Sequence, residues 1–324
     1  MNKKIIAAAV AATMTSVAFA DISITGQMKA NYKNTDTGNG TTVVNDIITE
    51  TNLYITGKSG DTTVYMELDH DSADFDDTNN GGTSGTDLDI EDQWMSTKIG
   101  DIAVKVGQWN GSDTLLDADS SRATRYEMKA SAAGIDMTLD GVSSDADTNF
   151  KVATKVGDVA VSAKMKNAEE QYTVSTTVAG VSVDYALDTP DAANQDESSL
   201  VIGTDIGGVR VEYAQAEADS GATINGDSWF GDTAALRTNA TSGGMGAGDD
   251  ISGIKLKTAM AGNTVQAVFF NVDDADSTDV DHTKFVVTRP LAGGTTLEVV
   301  YLNTDANGTA NDYEVLDVEL AVKF

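Results

Sequence analysis

Two histidines and a wealth of carboxylates are the first residues in this chain that could do chemistry. His70 stands between Asp69 and Asp71, and His282 follows Asp281. An imidazole beside a carboxylate is the pairing that general acid–base catalysis uses. A second pattern is Asn303-Thr-Asp-Ala-Asn-Gly-Thr-Ala-Asn-Asp-Tyr-Glu314, which matches the spacing of an EF-hand calcium loop, with Gly308 at the sixth position and Glu314 at the twelfth. Asn303 stands where aspartate is expected, and the flanks have strand rather than helix character. Asp305, Asn307 and Glu314 are therefore weak candidates for a loop-bound calcium of another geometry, and no other cofactor is expected. The chain has no cysteine, no Gly-x-Ser-x-Gly and no His-Glu-x-x-His. Asp-rich loops place aspartate beside histidine by chance, so the sequence reads as a non-enzyme.

Charge narrows the partners. The formal net charge is −30, from 51 acidic and 21 basic residues. Phosphate binding depends on clusters of Lys and Arg, so nucleic acid is excluded and cations or basic surfaces are favoured. Lys3 and Lys4 precede a short apolar run, Ile5 to Val10 extended by Ala11 and Ala12, and Ala18-Phe19-Ala20 stands before Asp21. This is the pattern of a secretory signal, so residues 1–20 are expected to be removed and residues 21–324 to form the mature domain. An exported chain without cysteine is held by backbone hydrogen bonds and burial alone. No apolar stretch of about 18 residues follows, which excludes a helical membrane span.

The elements that must position these residues are strands. Eight short glycine-containing turns recur, Lys58-Ser-Gly-Asp61 and Lys98-Ile-Gly-Asp101 among them, each between two alternating segments. Longer connections rich in Asp, Asn, Gly, Ser and Thr lie between the hairpins, the longest from about Ala216 to Asp250. Eight hairpins with a first strand from Ile22 and a last one ending at Phe324 make 18 strands in an up-and-down meander, with short turns at one end and long acidic loops at the other. No composition shift marks a second domain.

Alternation decides the environment. Ile22, Ile24, Met28, Ala30 and Tyr32 share one face of the first strand, and Lys29, Asn31 and Lys33 share the other. In the last strand Leu316, Val318, Leu320, Val322 and Phe324 oppose Asp317, Glu319 and Lys323. A soluble sandwich has the same period but needs large interior residues, and aromatics are only 6% here. In a membrane barrel the apolar face meets lipid and the charged face lines water. Closure removes the sheet edges that lipid does not tolerate, and about 18 strands are too many for side chains to plug. Trp94, Trp109, Tyr126, Phe150, Tyr172, Tyr185, Tyr213, Phe269, Phe270, Phe285, Tyr301 and Tyr313 all fall near the long-loop ends of their strands, as a belt at one membrane interface requires. The fold class is an all-β transmembrane antiparallel barrel of 16 to 18 strands, with 18 by direct count.

With the signal, the first strand Asp21-Ile-Ser-Ile-Thr-Gly-Gln, the hairpin from Met95 to Gln108 and the terminal Val318-Glu-Leu-Ala-Val-Lys-Phe324, the chain resembles the general diffusion porins of the Gram-negative outer membrane. The resemblance implies a water-filled channel for small hydrophilic solutes and ions, a homotrimer of 16-stranded barrels, and Phe324 as the signal read by the barrel assembly machinery. It also implies that the third long loop, Gln108 to Arg122, folds into the barrel and sets Asp113, Asp117 and Asp119 against basic wall residues. Arg122, Arg125 and Lys129 follow that loop directly, and Lys105 lies on the facing polar register. Acid facing base across a constriction creates a transverse field that orients dipolar solutes. The acidic loops would concentrate cations at the mouth, giving a cation preference. The alternative function is an outer-membrane barrel acting mainly as an adhesin or an ion-binding surface.

Overall fold

The computed structural model describes residues 21–36, 43–72, 89–110, 122–143, 148–166, 169–190, 195–220, 250–273, 280–306 and 313–324. The expected export signal lies outside them. The strands are β1 (Asp21–Asp36), β2 (Val43–Ser59), β3 (Thr62–Ser72), β4 (Asp89–Ile99), β5 (Ile102–Asn110) and β6 (Arg122–Ala132). They continue as β7 (Ile135–Val142), β8 (Thr148–Val156), β9 (Val159–Lys166), β10 (Glu169–Val178), β11 (Val181–Pro190) and β12 (Glu197–Ile206). The last six are β13 (Val209–Ala218), β14 (Asp250–Met260), β15 (Asn263–Asp273), β16 (Val280–Pro290), β17 (Thr295–Ala306) and β18 (Tyr313–Lys323). Each pairs antiparallel with its neighbours in sequence, and β1 also pairs with β18, so the 18-stranded sheet closes on itself. The direct count of 18 holds, and the 16 implied by the resemblance does not. No helix among the described residues is long and apolar enough to cross a membrane.

Closure depends on the two ends of the chain. Gln27 to Asp36 run against Lys323 to Glu314, and beyond that ladder the Gly26 amide donates to the Phe324 carbonyl at 2.7 Å while the Phe324 amide donates to the Gly26 carbonyl at 3.0 Å. Gly26 has no side chain for a reason. A Cβ there would lie 2.5 Å from the Phe324 ring, which packs over the glycine on the outside of the barrel.

Burial separates the two faces. In a closed barrel, side chains converge inside and diverge outside. Ile24 is 62% exposed, Met28 49% and Leu320 43%, although all three are apolar. On the alternate register, polar Asn52, Lys164 and Gln171 are buried. The apolar register therefore faces outward, toward lipid, and the polar one inward. Among the described residues every strand lysine lies on the inner register, from Lys29 and Lys33 on β1 to Lys284 on β16 and Lys323 on β18. Lysine at the bilayer midplane costs about 2–4 kcal/mol on the lipid side, which accounts for the sorting.

Most of the expected aromatic belt is also on the outer face. Tyr126, Phe150, Tyr172, Tyr185, Tyr213, Phe269, Phe285 and Tyr301 stand on the outward register. Tyr126 covers Gly141, whose added Cβ would meet its hydroxyl at 2.6 Å, and Phe269 meets Phe285 edge to face at 5.9 Å. Trp94, Trp109 and Phe270 do not belong to the belt, because their register places them inside. Proximity to a strand end identifies the level of a ring, but only parity identifies its face. The Tyr313 side chain lies outside the described residues.

Val318 stands in the middle of β18 on the lipid face. Val318→Arg is expected to cost about 2–4 kcal/mol of stability, read by denaturant unfolding of the barrel refolded into lipid vesicles, and an unchanged midpoint would contradict the assigned orientation.

Candidate functional site

The inner wall carries most of the charged strand residues, and they are sorted around its circumference. On β17, β18 and β1–β4, inward carboxylates dominate: Glu298, Asp317, Glu319, Glu50, Glu67 and Asp69, with Glu91 and Asp92 at a register irregularity in β4. Lys29 answers Glu50 at 3.0 Å, and the Asn31 amide donates to Asp317 at 3.1 Å. On β5–β9 the balance reverses, with Lys105, Arg125, Lys129, Lys151, Lys155, Lys164 and Lys166 inward. Lys129, Thr138, Lys151 and Lys164 form one row across neighbouring strands. A second basic group follows on β13–β16, where Arg210 pairs with Glu212 at 3.1 Å, Lys255 approaches the same carboxylate at 3.7 Å, and Lys257 and Lys284 stand alongside.

This arrangement can produce a transverse field from the wall itself. Eighteen strands spaced about 4.8 Å apart and tilted about 40° give a backbone radius of roughly 18 Å. Side chains reaching about 6 Å inward then leave an opening on the order of 20 Å before any loop enters it. Across such a gap, acidic and basic sectors interact weakly with each other and act chiefly on what passes between them.

Of the expected constriction residues, Lys105, Arg125 and Lys129 come together on the inner register of β5 and β6. Arg125 directs its Nε–H to the Trp109 carbonyl at 3.3 Å, and Lys129 pairs with Glu127 at 2.9 Å. Arg122 departs from the expectation. It stands on the alternate register at the end of β6, opposite Asn110, and its guanidinium forms an ion pair with Glu91 of β4. It is thus tied to the acidic sector instead of continuing the basic row. Asp113, Asp117 and Asp119 lie outside the described residues.

Beside Lys105 the wall has a feature that charge reading missed. Tyr65, Trp94, Gly107 and Arg125 occupy one row across β3–β6, and Lys105 and Trp109 flank Gly107 on β5. Tyr65 stacks on Trp94 with centroids 5.0 Å apart, and the Lys105 ammonium sits 4.5 Å from the Trp94 ring centroid and 4.1 Å from that of Trp109. Period-two bookkeeping applied to the tryptophans would have placed both rings on the inner face.

Nor is the inner wall polar throughout. Ala214, Ala216, Ile251, Val268, Phe270 and Val272 are buried on the inner register of β13–β15. His282 stacks on Phe270 at 4.5 Å and shares a hydrogen bond with Thr304 at 2.9 Å. Asp281, its sequence neighbour, points to the other face, as do Asp69 and His70 relative to each other. Adjacent strand residues face apart, so neither histidine forms a dyad with the aspartate beside it. Asn303 and Glu314 are cross-strand partners on the outer register, with the Asn303 amide donating to the Glu314 carboxylate at 3.4 Å, while Asn307 lies outside the described residues. Extended strands thus hold both ends of the calcium-like stretch. Among the described residues no three His, Cys, Asp or Glu side chains converge as metal ligands.

No family model matches this chain, and no curated protein matches it. Solved structures do. Acinetobacter baumannii OccAB4 aligns with a TM-score of 0.67 at 8% identity over 94% of this chain and 98% of its own. Pseudomonas aeruginosa OccK8 (OprE) aligns with a TM-score of 0.64 at 10% identity over 94% and 98%. The P. aeruginosa outer membrane protein opdK aligns with a TM-score of 0.67 at 9% identity over 94% and 98%. The shared feature is the fold, a closed barrel spanning nearly the whole of both chains.

Gly107 makes the aromatic cluster possible. Its φ is 144°, and an added Cβ would lie 2.2 Å from the Gln93 carbonyl and 2.4 Å from the Trp94 Cα. Gly107→Ala is expected to destabilise the barrel by about 1–3 kcal/mol, measured by denaturant unfolding, and to shift the tryptophan emission of the folded protein.

Proposed function

We propose that this chain is a Gram-negative outer-membrane porin, a passive water-filled channel for small hydrophilic solutes and ions. One observation carries the reading: a closed 18-stranded barrel, apolar outside, whose inner register holds every strand lysine among the described residues and most of the strand carboxylates. Barrels of this strand number are too wide for side chains to fill, and a charged lumen has no use in a packed core. The fold shared with an outer membrane protein supports the same location. In this reading residues 1–20 are an export signal removed before Asp21, Phe324 is read by the barrel assembly machinery, and the barrels associate as homotrimers.

Selectivity is for cations at low salt. The net charge of −30 and the carboxylates of the β17–β4 sector raise the cation concentration at the wall, while the β5–β9 lysines act against it locally. Asp113, Asp117 and Asp119 would add to the acidic side if the third long loop enters the lumen. The screening length is about 10 Å at 0.1 M salt, so the preference weakens as ionic strength rises.

Purified protein in a planar bilayer is expected to give stable conductance steps, with a reversal potential of cation-selective sign under a dilute salt gradient. Absence of channels would remove the porin reading and favour an adhesin or ion-binding surface. Anion selectivity abolished by Arg125→Ser with Lys129→Ser would show that the basic wall dominates. Deleting Phe324 is expected to lower the amount of protein in the outer membrane more than it alters single-channel conductance, measured by membrane fractionation at matched expression.

A further inference from the structure

We propose that Trp94 and Trp109 form a subsite for organic ammonium ions on the channel wall, with Lys105 as its tethered occupant. The proposal rests on the inner wall lining water, and its chemistry comes from the aromatic cluster on β3–β5. Two indoles already hold one ammonium between them, with Lys105 Nζ 4.5 Å from one ring centroid and 4.1 Å from the other. Aromatic faces around a cation are the arrangement that recognises alkylated ammonium ions.

The cage is built rather than incidental. Gly107, between Lys105 and Trp109, lets the Trp94 backbone approach closely and so brings the two indoles to one ammonium. Tyr65 braces Trp94 from β3, and its own hydroxyl is fixed by donation to Glu67 at 3.0 Å. Trp109 is held through its backbone, where the carbonyl accepts from Arg125.

The surrounding charge suits exchange. Glu127 is the register partner of Lys105, yet the Lys105 ammonium rests on the indoles and Glu127 pairs with Lys129. When a solute ammonium enters the cage, Lys105 can swing to the carboxylate opposite, which it then shares with Lys129. A tethered competitor keeps the site weak, and a channel subsite has to be weak for the solute to leave. Removing the competitor should therefore tighten binding.

The probe is tetramethylammonium, titrated against purified protein in detergent and followed by tryptophan fluorescence, because two of the chain's 3 tryptophans form the cage. Lys105→Met is expected to bind it about tenfold more tightly than the natural protein, consistent with loss of a tethered competitor. Trp109→Leu in the Lys105→Met background should abolish the response. Lys105→Arg, which restores a cation, should return the affinity to the natural level. Unchanged or weaker binding by a folded Lys105→Met barrel would overturn the proposal. If that variant does not fold, the natural protein decides: a fluorescence response to benzoate but not to tetramethylammonium would assign the site to anions and overturn it equally. Conductance separates the two readings, since a barrel that conducts without binding tetramethylammonium loses only the subsite, and one that binds without conducting loses the channel.

Discussion

A bilayer interior offers no hydrogen-bond partner to a peptide group, and everything in this structure follows from meeting that demand. Each strand satisfies its neighbours, and the last unmet edge disappears only when β1 finds β18. The seam between Gly26 and Phe324 is therefore the condition for the rest. With the sheet closed, parity becomes an inside and an outside, and the sorting of lysine to one register acquires meaning.

Closure also determines what the wall can do. Inward residues at neighbouring register positions form rows, so charges far apart in sequence, such as Lys129, Lys151 and Lys164, fall side by side. Acidic and basic sectors then occupy different arcs of one ring. The apolar group around Ile251 and Phe270 breaks that pattern toward the long-connection end of β13–β15, while Arg210, Glu212, Lys255 and Lys257 line the same strands toward their short turns. The result is a lumen with a direction across it as well as along it.

Much of this was legible from residue order. Short glycine turns counted the strands, and alternation in the first and last segments separated the lipid face from the water face. A strand number read from turns survived where the family resemblance suggested 16, because each turn is a local signal with its own backbone requirement, as at Gly60 and Gly157 with φ of 56° and 63°. The aromatic belt was only partly legible. Trp109 and Phe270 lie at the belt's end of their strands and Trp94 midway along its own, all on the opposite face, and level alone does not distinguish the two faces. Arg122 joins the acidic sector through an ion pair between β6 and β4, a contact that residue order along one strand does not contain. The Trp94–Lys105–Trp109 cluster joins two strands, and contacts of that kind depend on pairing register, which a single segment does not contain.

The seam at Gly26 and Phe324 makes the barrel a ring in topology as well as shape. Asp21 and Phe324 stand at the same turn-bearing end, on strands that are hydrogen-bonded neighbours. Asp21 to Thr25 run on beyond the Phe324 pairing, so a linker long enough to lie along that overhang would join the two ends into a cyclic chain. The same ring of pairings could be written from any connection between strands, a circular permutation in which β1 and β18 become neighbours in sequence as well as in the sheet.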